Sequence, residues 1–234
     1  MRTGGENCRH RRAVHARRAG LQNRCSPHLT RRAVMKIVIV GASGAIGRAV
    51  AELLGARHEI VPVGRSSGAH HADITDPASI AAALESIGRF DAIVVAAGDP
   101  HFGPLTDTSP AQFAAGLGGK LLGQINVALA ALPWLADGGS ITLTSGCLSE
   151  QPVRGGSNAS VSNAGIDAFA RSAAVDLPRG LRINAVSPTV LTESLPKYGD
   201  YLPGFDDAPA AKVARAYRRS IEAGETGQVY RVWS

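Results

Sequence analysis

Residues 38–47 read Val38-Ile39-Val40-Gly41-Ala42-Ser43-Gly44-Ala45-Ile46-Gly47, an apolar run that leads directly into a glycine-rich turn. The apolar residues predict a buried strand, and the residues after Gly44 predict the start of a helix. Glycines at such a turn let the backbone amides approach a pyrophosphate, and the helix behind them presents the positive end of its dipole. A glycine pattern on its own fits any tight turn, so its meaning depends on the rest of the chain.

Short apolar runs alternate with helical stretches from Met35 onward. We expect a short strand just before Asp73 and six further strands, at 36–40, 59–64, 91–97, 140–144, 181–186 and 228–232. We expect helices at 45–55, 77–87, 110–135, 158–177 and 208–223. This alternation is typical of a single α/β domain with a doubly wound parallel sheet and helices on both faces.

The composition fits one globular domain. The chain has 234 residues, 44% of them hydrophobic, and no apolar run is long enough to cross a bilayer, so we expect no membrane partner. Its three cysteines have no paired spacing, which favours a reducing compartment and hence the cytoplasm. The pair His70-His71 lacks the spacing of metal ligands, so we expect no metal site.

The positive charge is concentrated at the front of the chain. Residues 1–34 hold nine of the 25 basic residues and one of the 19 acidic ones, which gives this segment +8 and leaves −2 for the remainder. A basic arm for nucleic acid and an arginine-rich transit peptide are two interpretations of the segment. We favour a third, a disordered extension before a natural start near Met35, because the segment has no apolar period. We therefore expect a domain over 35–234 that binds no nucleic acid.

The order of motifs resembles the short-chain dehydrogenase/reductase family. The glycine turn is similar to that of the family, Asp73-Ile74 to its adenine-side aspartate, Ala96-Ala97-Gly98 to its Asn-Asn-Ala-Gly segment, and residues 187–192 to its turn around the nicotinamide. The resemblance implies a Rossmann fold, a nicotinamide cofactor, and a homodimer or homotetramer built on the helices at 110–135 and 158–177. It implies cofactor binding by Gly41, Ser43, Gly44, Ile46, Gly47, Asp73, Ile74, Ala97, Gly98, Pro188 and Thr192.

The residue that follows the second strand favours NADP(H) over NAD(H). NAD-binding members of this fold commonly place a carboxylate there to hold the ribose hydroxyls. This chain has Gly64-Arg65-Ser66 instead, and Arg48 follows the glycine turn. Guanidinium groups attract a 2′-phosphate, which a carboxylate would repel. We therefore add Arg65 to the cofactor-binding residues and expect NADP(H).

The catalytic positions depart from the family pattern. The family uses an asparagine, a serine, a tyrosine and a lysine, and Ser145 stands at the serine position. Counting back from Phe169 places Ala159 at the tyrosine position and Asn163 at the lysine position. The phenol that passes the proton in the family is therefore missing here.

The asparagine position of the family falls on Lys120. Phe113 and the pair Leu132-Pro133 bracket this position, and Asn126 is the competing choice if the register slips. We interpret the amide and the ammonium as having exchanged helices, so that Lys120 projects into the same cleft. The alternative is a solvent-facing lysine beside a decayed site. The expected catalytic residues are thus Ser145, Lys120 and Asn163.

Hydride transfer to a carbonyl still needs a proton donor. Lys120 could serve if burial lowers its pKa, and His101, Tyr198 and Tyr201 are other candidates. We expect an NADP(H)-dependent oxidoreductase that acts on a small carbonyl or alcohol substrate. The alternatives are a nucleotide-binding protein with a sensor or structural role, and an isomerase or cyclase built on the same pocket.

Overall fold

The computed structural model describes residues 33–66 and 69–233. The extension expected at 1–34 lies outside the described residues except for its last two positions. From residue 34 onward the described residues form one compact unit. None of the helices in the described part of the chain is both long and apolar enough to span a membrane.

Seven parallel strands form one sheet in the order β3-β2-β1-β4-β5-β6-β7. The strands are β1 Lys36–Val40, β2 Glu59–Gly64, β3 His70–His71, β4 Phe90–Val95, β5 Leu135–Thr144, β6 Arg182–Pro188 and β7 Val229–Val232. The chain order reverses between β1 and β4, which leaves a crevice at the carboxyl ends of these strands. Ligands of open α/β sheets bind at such a reversal.

Helices cover both faces of the sheet, so the predicted doubly wound α/β fold is confirmed. They are α1 Ala45–Gly55, α2 Pro77–Ile87, α3 Pro110–Leu117, α4 Gly123–Ala131, α5 Ser157–Asp176, α6 Leu195–Tyr198 and α7 Ala210–Glu222. One apolar core lies between the sheet and α2, α4 and α5, and another lies between the sheet and α1 and α7. A third, smaller cluster lies over the carboxyl ends of the strands.

The helix predicted over 110–135 is wrong in two respects. A turn of π-helix, Gly118–Leu122, separates α3 from α4. The helical part also ends at Ala131, and β5 begins at Leu135, earlier than predicted. Two adjacent glycines at 118 and 119 give little support to a regular helix. Pro133 has no N–H with which to continue the hydrogen bonds of the helix, which accounts for the early end.

Candidate active site

A cavity of about 430 Å³ opens at the carboxyl ends of the central strands. Its wall combines the glycine turn, the loop after β4, the π-turn, the ends of β5 and β6, and α6. Five of the expected cofactor-binding residues lie on this wall, namely Gly44, Ile46, Ala97, Gly98 and Pro188. The cavity therefore joins the expected nucleotide site to the expected catalytic site.

The glycine turn is too tight for side chains at two positions. Gly41 has a φ of +86°, and a Cβ atom there would lie 2.5 Å from the carbonyl oxygen of Ala96. A Cβ atom on Gly47 would lie 2.2 Å from the carbonyl oxygen of Gly41. The helix that follows has no side-chain cap at Gly44, and Ser43 and Gly44 are exposed. The turn thus leaves an open helix N-terminus that fits the phosphates of a dinucleotide.

Asp73 and Ile74 lie at the end of the short strand β3. The Asp73 carboxylate accepts hydrogen bonds from the backbone N–H (2.9 Å) and the hydroxyl (2.7 Å) of Thr75. The hydrogen bond from the backbone N–H is the main cause of the lowered pKa of Asp73. Arg65 is exposed at the end of β2 and is close enough to lower this pKa further. Ile74 is buried, and its Cδ1 lies 2.8 Å from the position a Cβ on Gly123 would take. Arg65, Asp73 and Ile74 are thus close to one another near the ends of β2 and β3.

The expected cofactor residue Thr192 makes its contact elsewhere, and so does Arg48, the arginine that follows the glycine turn. Thr192 donates its hydroxyl hydrogen bond to the carboxylate of Asp207 and is not part of the cavity wall. Arg48 donates to the carbonyl oxygen of Ser43 at 2.7 Å, which braces the glycine turn from its exposed side. Both lie on segments that border the cavity, but their side chains point to the protein's own groups.

Lys120 extends into the cavity from the π-turn. Its Nζ donates to the carbonyl oxygen of Ser145 at 3.2 Å. Burial lowers the pKa of Lys120 to about 8, and the charges of Asp99, Asp167 and Cys147 offset part of this effect. The competing residue, Asn126, instead donates to the carbonyl oxygen of Ile74 at 3.4 Å. The geometry therefore agrees with the register that places Lys120 in the cleft.

The close approach of the loop after β4 explains the position of Lys120. Gly98 has a φ of +111°, and a Cβ atom there would lie 2.7 Å from the carbonyl oxygen of Gly119 and 2.9 Å from the Cα of Lys120. The loop and the π-turn are thus in direct backbone contact, which only glycine permits at this point. Turns of π-helix inside longer helices are frequent at functional sites.

Ser145, Ala159 and Asn163 also line the cavity, and all three are buried. The Ser145 hydroxyl lies 3.5 Å from the carbonyl oxygen of Val186, and it also interacts with the carboxylate of Asp167 behind it. The Asn163 amide packs against Gly146, where a Cβ atom would lie 2.9 Å from its Nδ2. Its Oδ1 has no hydrogen-bond partner among the described residues. The cavity thus brings together the three residues expected to be catalytic, Ser145, Lys120 and Asn163. Ala159 leaves a methyl group where the family has a phenol.

The remaining candidate donors have other surroundings. The ring of His101 lies 3.4 Å from the hydroxyl of Thr108 and outside the cavity wall. Tyr198 lines the cavity, but its hydroxyl donates to Asp99 at 3.2 Å. Tyr201 packs against Phe102, with 4.9 Å between the ring centroids. Lys120, by contrast, is hydrogen-bonded to the backbone of Ser145.

Two buried polar residues escaped the sequence analysis. Asp167 is 2% exposed, its Oδ1 has no partner among the described residues, and burial raises its pKa against the effect of the hydroxyls of Ser145 and Ser149. Its spacing of four residues from Asn163 on a helix was a signal that could have found it. Gln124 is fully buried and bonds to the backbone of Thr144. Its partner depends on where a neighbouring strand ends, which the sequence did not indicate.

The far wall of the cavity is apolar. Cys147, Leu148, Ala159, Val190 and Leu202 form a buried cluster there, and Phe102 and Tyr198 pack against it. Asp99, at the mouth, pairs with Lys197 at 3.5 Å. In residues 33–66 and 69–233, no three His, Cys, Asp or Glu side chains are grouped so that they could hold a metal ion. The site thus offers a cation, a hydroxyl and an apolar wall around one open space.

Known proteins share this fold and most of this length. A family model described as enoyl-(acyl carrier protein) reductase matches residues 35–232. The uncharacterized oxidoreductase Rv1714 of Mycobacterium tuberculosis is 32% identical over an alignment of 211 residues, and the match covers 76% of this chain and 74% of that protein.

Two solved structures are also similar. The crystal structure of the protein lin1944 from Listeria innocua has 46% sequence identity and a TM-score of 0.84, and the match covers 86% of this chain and all of that one. The structure of a small-chain dehydrogenase in complex with NADPH has 29% identity and a TM-score of 0.76, over 86% of this chain and 97% of that one.

Proposed function

This chain belongs to the short-chain dehydrogenase/reductase family of oxidoreductases, and from that premise we propose that it transfers a hydride between NADP(H) and a small carbonyl or alcohol substrate. The observation that carries the proposal is the meeting of Lys120 and Ser145 in a cavity that continues to the glycine turn. This places a cation and a hydroxyl where a carbonyl oxygen could bind beside the nicotinamide end of a dinucleotide.

NADP(H) is the cofactor that the charges at its site favour. The glycine turn and the open N-terminus of α1 would hold the pyrophosphate, and Arg65 would hold the 2′-phosphate. A related small-chain dehydrogenase was solved with NADPH, which supports this choice. When bound, NADPH supplies the hydride.

Lys120 is the residue that would donate the proton. One of its three N–H groups bonds to Ser145, so two remain for a substrate oxygen. As a hydride reaches the carbonyl carbon, the electron pair of the C=O bond moves to oxygen, and that oxygen takes a proton from the ammonium. Lys120 is left neutral and regains a proton from water. Its pKa of about 8 lies near neutral pH, where a general acid is most effective.

Ser145 would orient the substrate. Ser145 lines the cavity together with Lys120, and its hydroxyl interacts with the buried carboxylate of Asp167 on the protein side. A carbonyl oxygen between the Ser145 hydroxyl and the Lys120 ammonium would gain stabilisation as negative charge develops on it. The wall formed by Leu148, Val190 and Leu202 excludes water from the other end and favours a substrate with an apolar body.

The test is NADPH consumption by the purified protein across a panel of aldehydes and ketones, with NADPH affinity measured in parallel. We expect turnover with apolar members of the panel, and a strong loss in Lys120→Met and Ser145→Ala with affinity largely retained. No detectable NADPH binding would refute the cofactor assignment. Tight binding without turnover of any substrate would refute the reaction.

A nucleotide-binding role without turnover is the second candidate. Ala159 and Asn163 stand at the two positions where the family keeps its tyrosine and lysine. A site that retains only the nucleotide pocket would tolerate both replacements. Under this alternative, NADPH binds, and Lys120→Met changes affinity without any rate to affect.

We also propose that the protein is a homodimer or homotetramer of the cytoplasm. The outer face of α5 exposes a stripe of small and apolar residues, and α4 adds a further exposed leucine beside it: Val161, Ala164, Ala168, Ser172, Val175 and Leu129. Such a stripe suits close packing against a second copy of the same helix pair. The free thiol of Cys147 fits a reducing compartment.

A further inference from the structure

Gln124 makes a two-point attachment to the end of strand β5. It is fully buried, its Nε2 donates to the carbonyl oxygen of Thr144 at 2.8 Å, and its Oε1 accepts from the amide of Thr144 at 2.8 Å. One side-chain amide thus satisfies both backbone groups of one residue, as a neighbouring strand would.

The two hydrogen bonds of Gln124 replace those that a neighbouring strand would make to Thr144. The amide of Ser145 bonds to Val186 on β6, so the backbone groups of the preceding Thr144 face the other neighbour, β4. Strand β4 ends at Val95, because the chain then leaves the sheet to form the wall of the cavity. Buried backbone groups without partners are costly, and Gln124 supplies both partners at this point.

Thr144 is also held from the other side of the sheet. Its hydroxyl donates to the carbonyl oxygen of Val95 at 2.6 Å. The hydroxyl of Tyr217, which is fully buried on α7, lies 2.6 Å from the hydroxyl oxygen of Thr144. Tyr217 is the donor in that pair, because the Thr144 hydrogen is given to Val95. Thr144, the residue to which Gln124 bonds, is therefore held in place by hydrogen bonds from other elements as well.

Lys120 and Gln124 contact consecutive residues of β5. Gln124 binds Thr144, and Lys120, four residues earlier, donates to the carbonyl oxygen of Ser145. The π-turn Gly118–Leu122 lies between the helix that precedes Lys120 and the helix that carries Gln124. The segment that carries Lys120 thus has an irregular backbone. The two hydrogen bonds of Gln124 to Thr144, which we call the clamp, attach the helix just after this segment to strand β5.

We propose that Gln124 is a positioning residue, which keeps the Lys120 ammonium bonded to the carbonyl oxygen of Ser145 and shielded from water. The effect on catalysis rests on the proposed function, but the effect on the lysine does not. Loss of the clamp lets the π-turn move away from β5, water reaches the ammonium, and Lys120 titrates closer to an ordinary lysine.

The experiment follows the titration of Lys120 directly. The chain has four lysines, so the 13Cε resonances of lysine-labelled protein are few, and Lys120→Met assigns the one that matters. We expect a midpoint of about 8 in the native protein and a clear rise towards 10.5 in Gln124→Leu. With an active substrate, kcat should fall by roughly tenfold to a hundredfold and the affinity for NADPH should change little.

Asn184→Leu is the matched control. Asn184 is also fully buried, and its amide also joins two backbone groups, those of Glu225 and Gln228, at the opposite end of the strands. Its loss should lower the melting temperature without moving the Lys120 midpoint. An unchanged midpoint in folded Gln124→Leu, or an equal rise in Asn184→Leu, would overturn the inference.

Two further measurements cover the case in which Gln124→Leu does not fold. Gln124→Asn keeps a neutral amide but is one methylene too short to reach both backbone groups of Thr144, and it should also raise the midpoint. In the native protein, the Thr144 amide should exchange slowly with deuterium, and fast exchange would refute the clamp. A native protein that binds NADPH but reduces nothing would refute the proposed reaction and leave the titration as the test of Gln124.

Discussion

Replacing Lys120 by Met should make the protein more stable and less active at neutral pH. The substitution keeps the length and apolar stem of the side chain and removes its charge. Burial moves the pKa of this lysine from 10.5 to about 8, which corresponds to about 3 kcal/mol of cost for the charged form in the folded protein. Met carries no such cost, so its free energy of unfolding at pH 7 should exceed that of the native protein by up to about 3 kcal/mol.

The pH dependence of this difference has a defined sign. Between pH 8 and pH 10.5 the unfolded chain holds a proton on Lys120 that the folded protein has released, so the native protein gains stability as pH rises through this window. The advantage of Lys120→Met is complete below pH 8 and vanishes above 10.5. Lys120→Met should lower activity although it raises stability. We expect a loss of about a hundredfold to ten-thousandfold in kcat, the usual range for a general acid.

Denaturant unfolding at several pH values measures the first effect, and NADPH oxidation measures the second. For a domain of this size, each kcal/mol raises the melting temperature by roughly 2–4 °C. Arg215→Met, at an exposed position of α7, is the control and should show neither change. A Lys120→Met protein that is less stable at pH 7, or a difference that does not close at high pH, would refute the burial argument.

Three further predictions concern other parts of the molecule. NADP(H) should bind about tenfold tighter than NAD(H), a difference of about 1.4 kcal/mol, and Arg65→Asp should reverse the order in calorimetric titrations; tighter NAD(H) binding by the native protein would contradict this. Asp167→Asn should melt at a higher temperature than the native protein at neutral pH, because burial raises the pKa of Asp167, and the gain should vanish as the pH falls to 3.8; a lower melting temperature at neutral pH would refute it. Light scattering at micromolar concentration should give a dimer or tetramer for the native protein and a monomer for Ala168→Arg; a monomeric native protein would exclude the α5 interface.

Local sequence patterns predicted much of the fold. Strand β1 and helix α1 have the predicted bounds, because an apolar run, a glycine turn and an amphipathic helix are all local signals. The capping side chains of Asp76 and Ser109 bond to the amides at the starts of α2 and α3. Both interactions depend on residues within one turn of the helix, which a sequence displays directly.

The interruption of the helix predicted over 110–135 was missed, because it depends on contacts with a distant part of the chain. Apart from the glycines at 118 and 119, its interior has the composition of a helix. The π-turn Gly118–Leu122 forms where the loop at Gly98 lies against the backbone of Gly119. That loop lies about twenty residues earlier in the chain. Periodicity within the helix carries no information about such a contact.

The catalytic site was accessible to sequence comparison only in part. Register with the family located Ser145 and Lys120, because it depends on spacing alone. The direction of the Lys120 side chain, its loss of water and its support by Gln124 follow from where β4 ends, at Val95. Asp167 and Gln124 are common residues in ordinary helical positions, and only their burial sets them apart.

The most direct test of the central proposal is the fate of the transferred hydrogen. Native protein is incubated with a panel of apolar aldehydes and ketones and with NADPH that carries deuterium at the transferable position, and the products are analysed by mass spectrometry. The account predicts an alcohol that contains one deuterium, formed at least about a hundredfold more slowly by Lys120→Met at pH 7. NADPH binding without deuterium in any product, or equal rates in native protein and Lys120→Met, would contradict it.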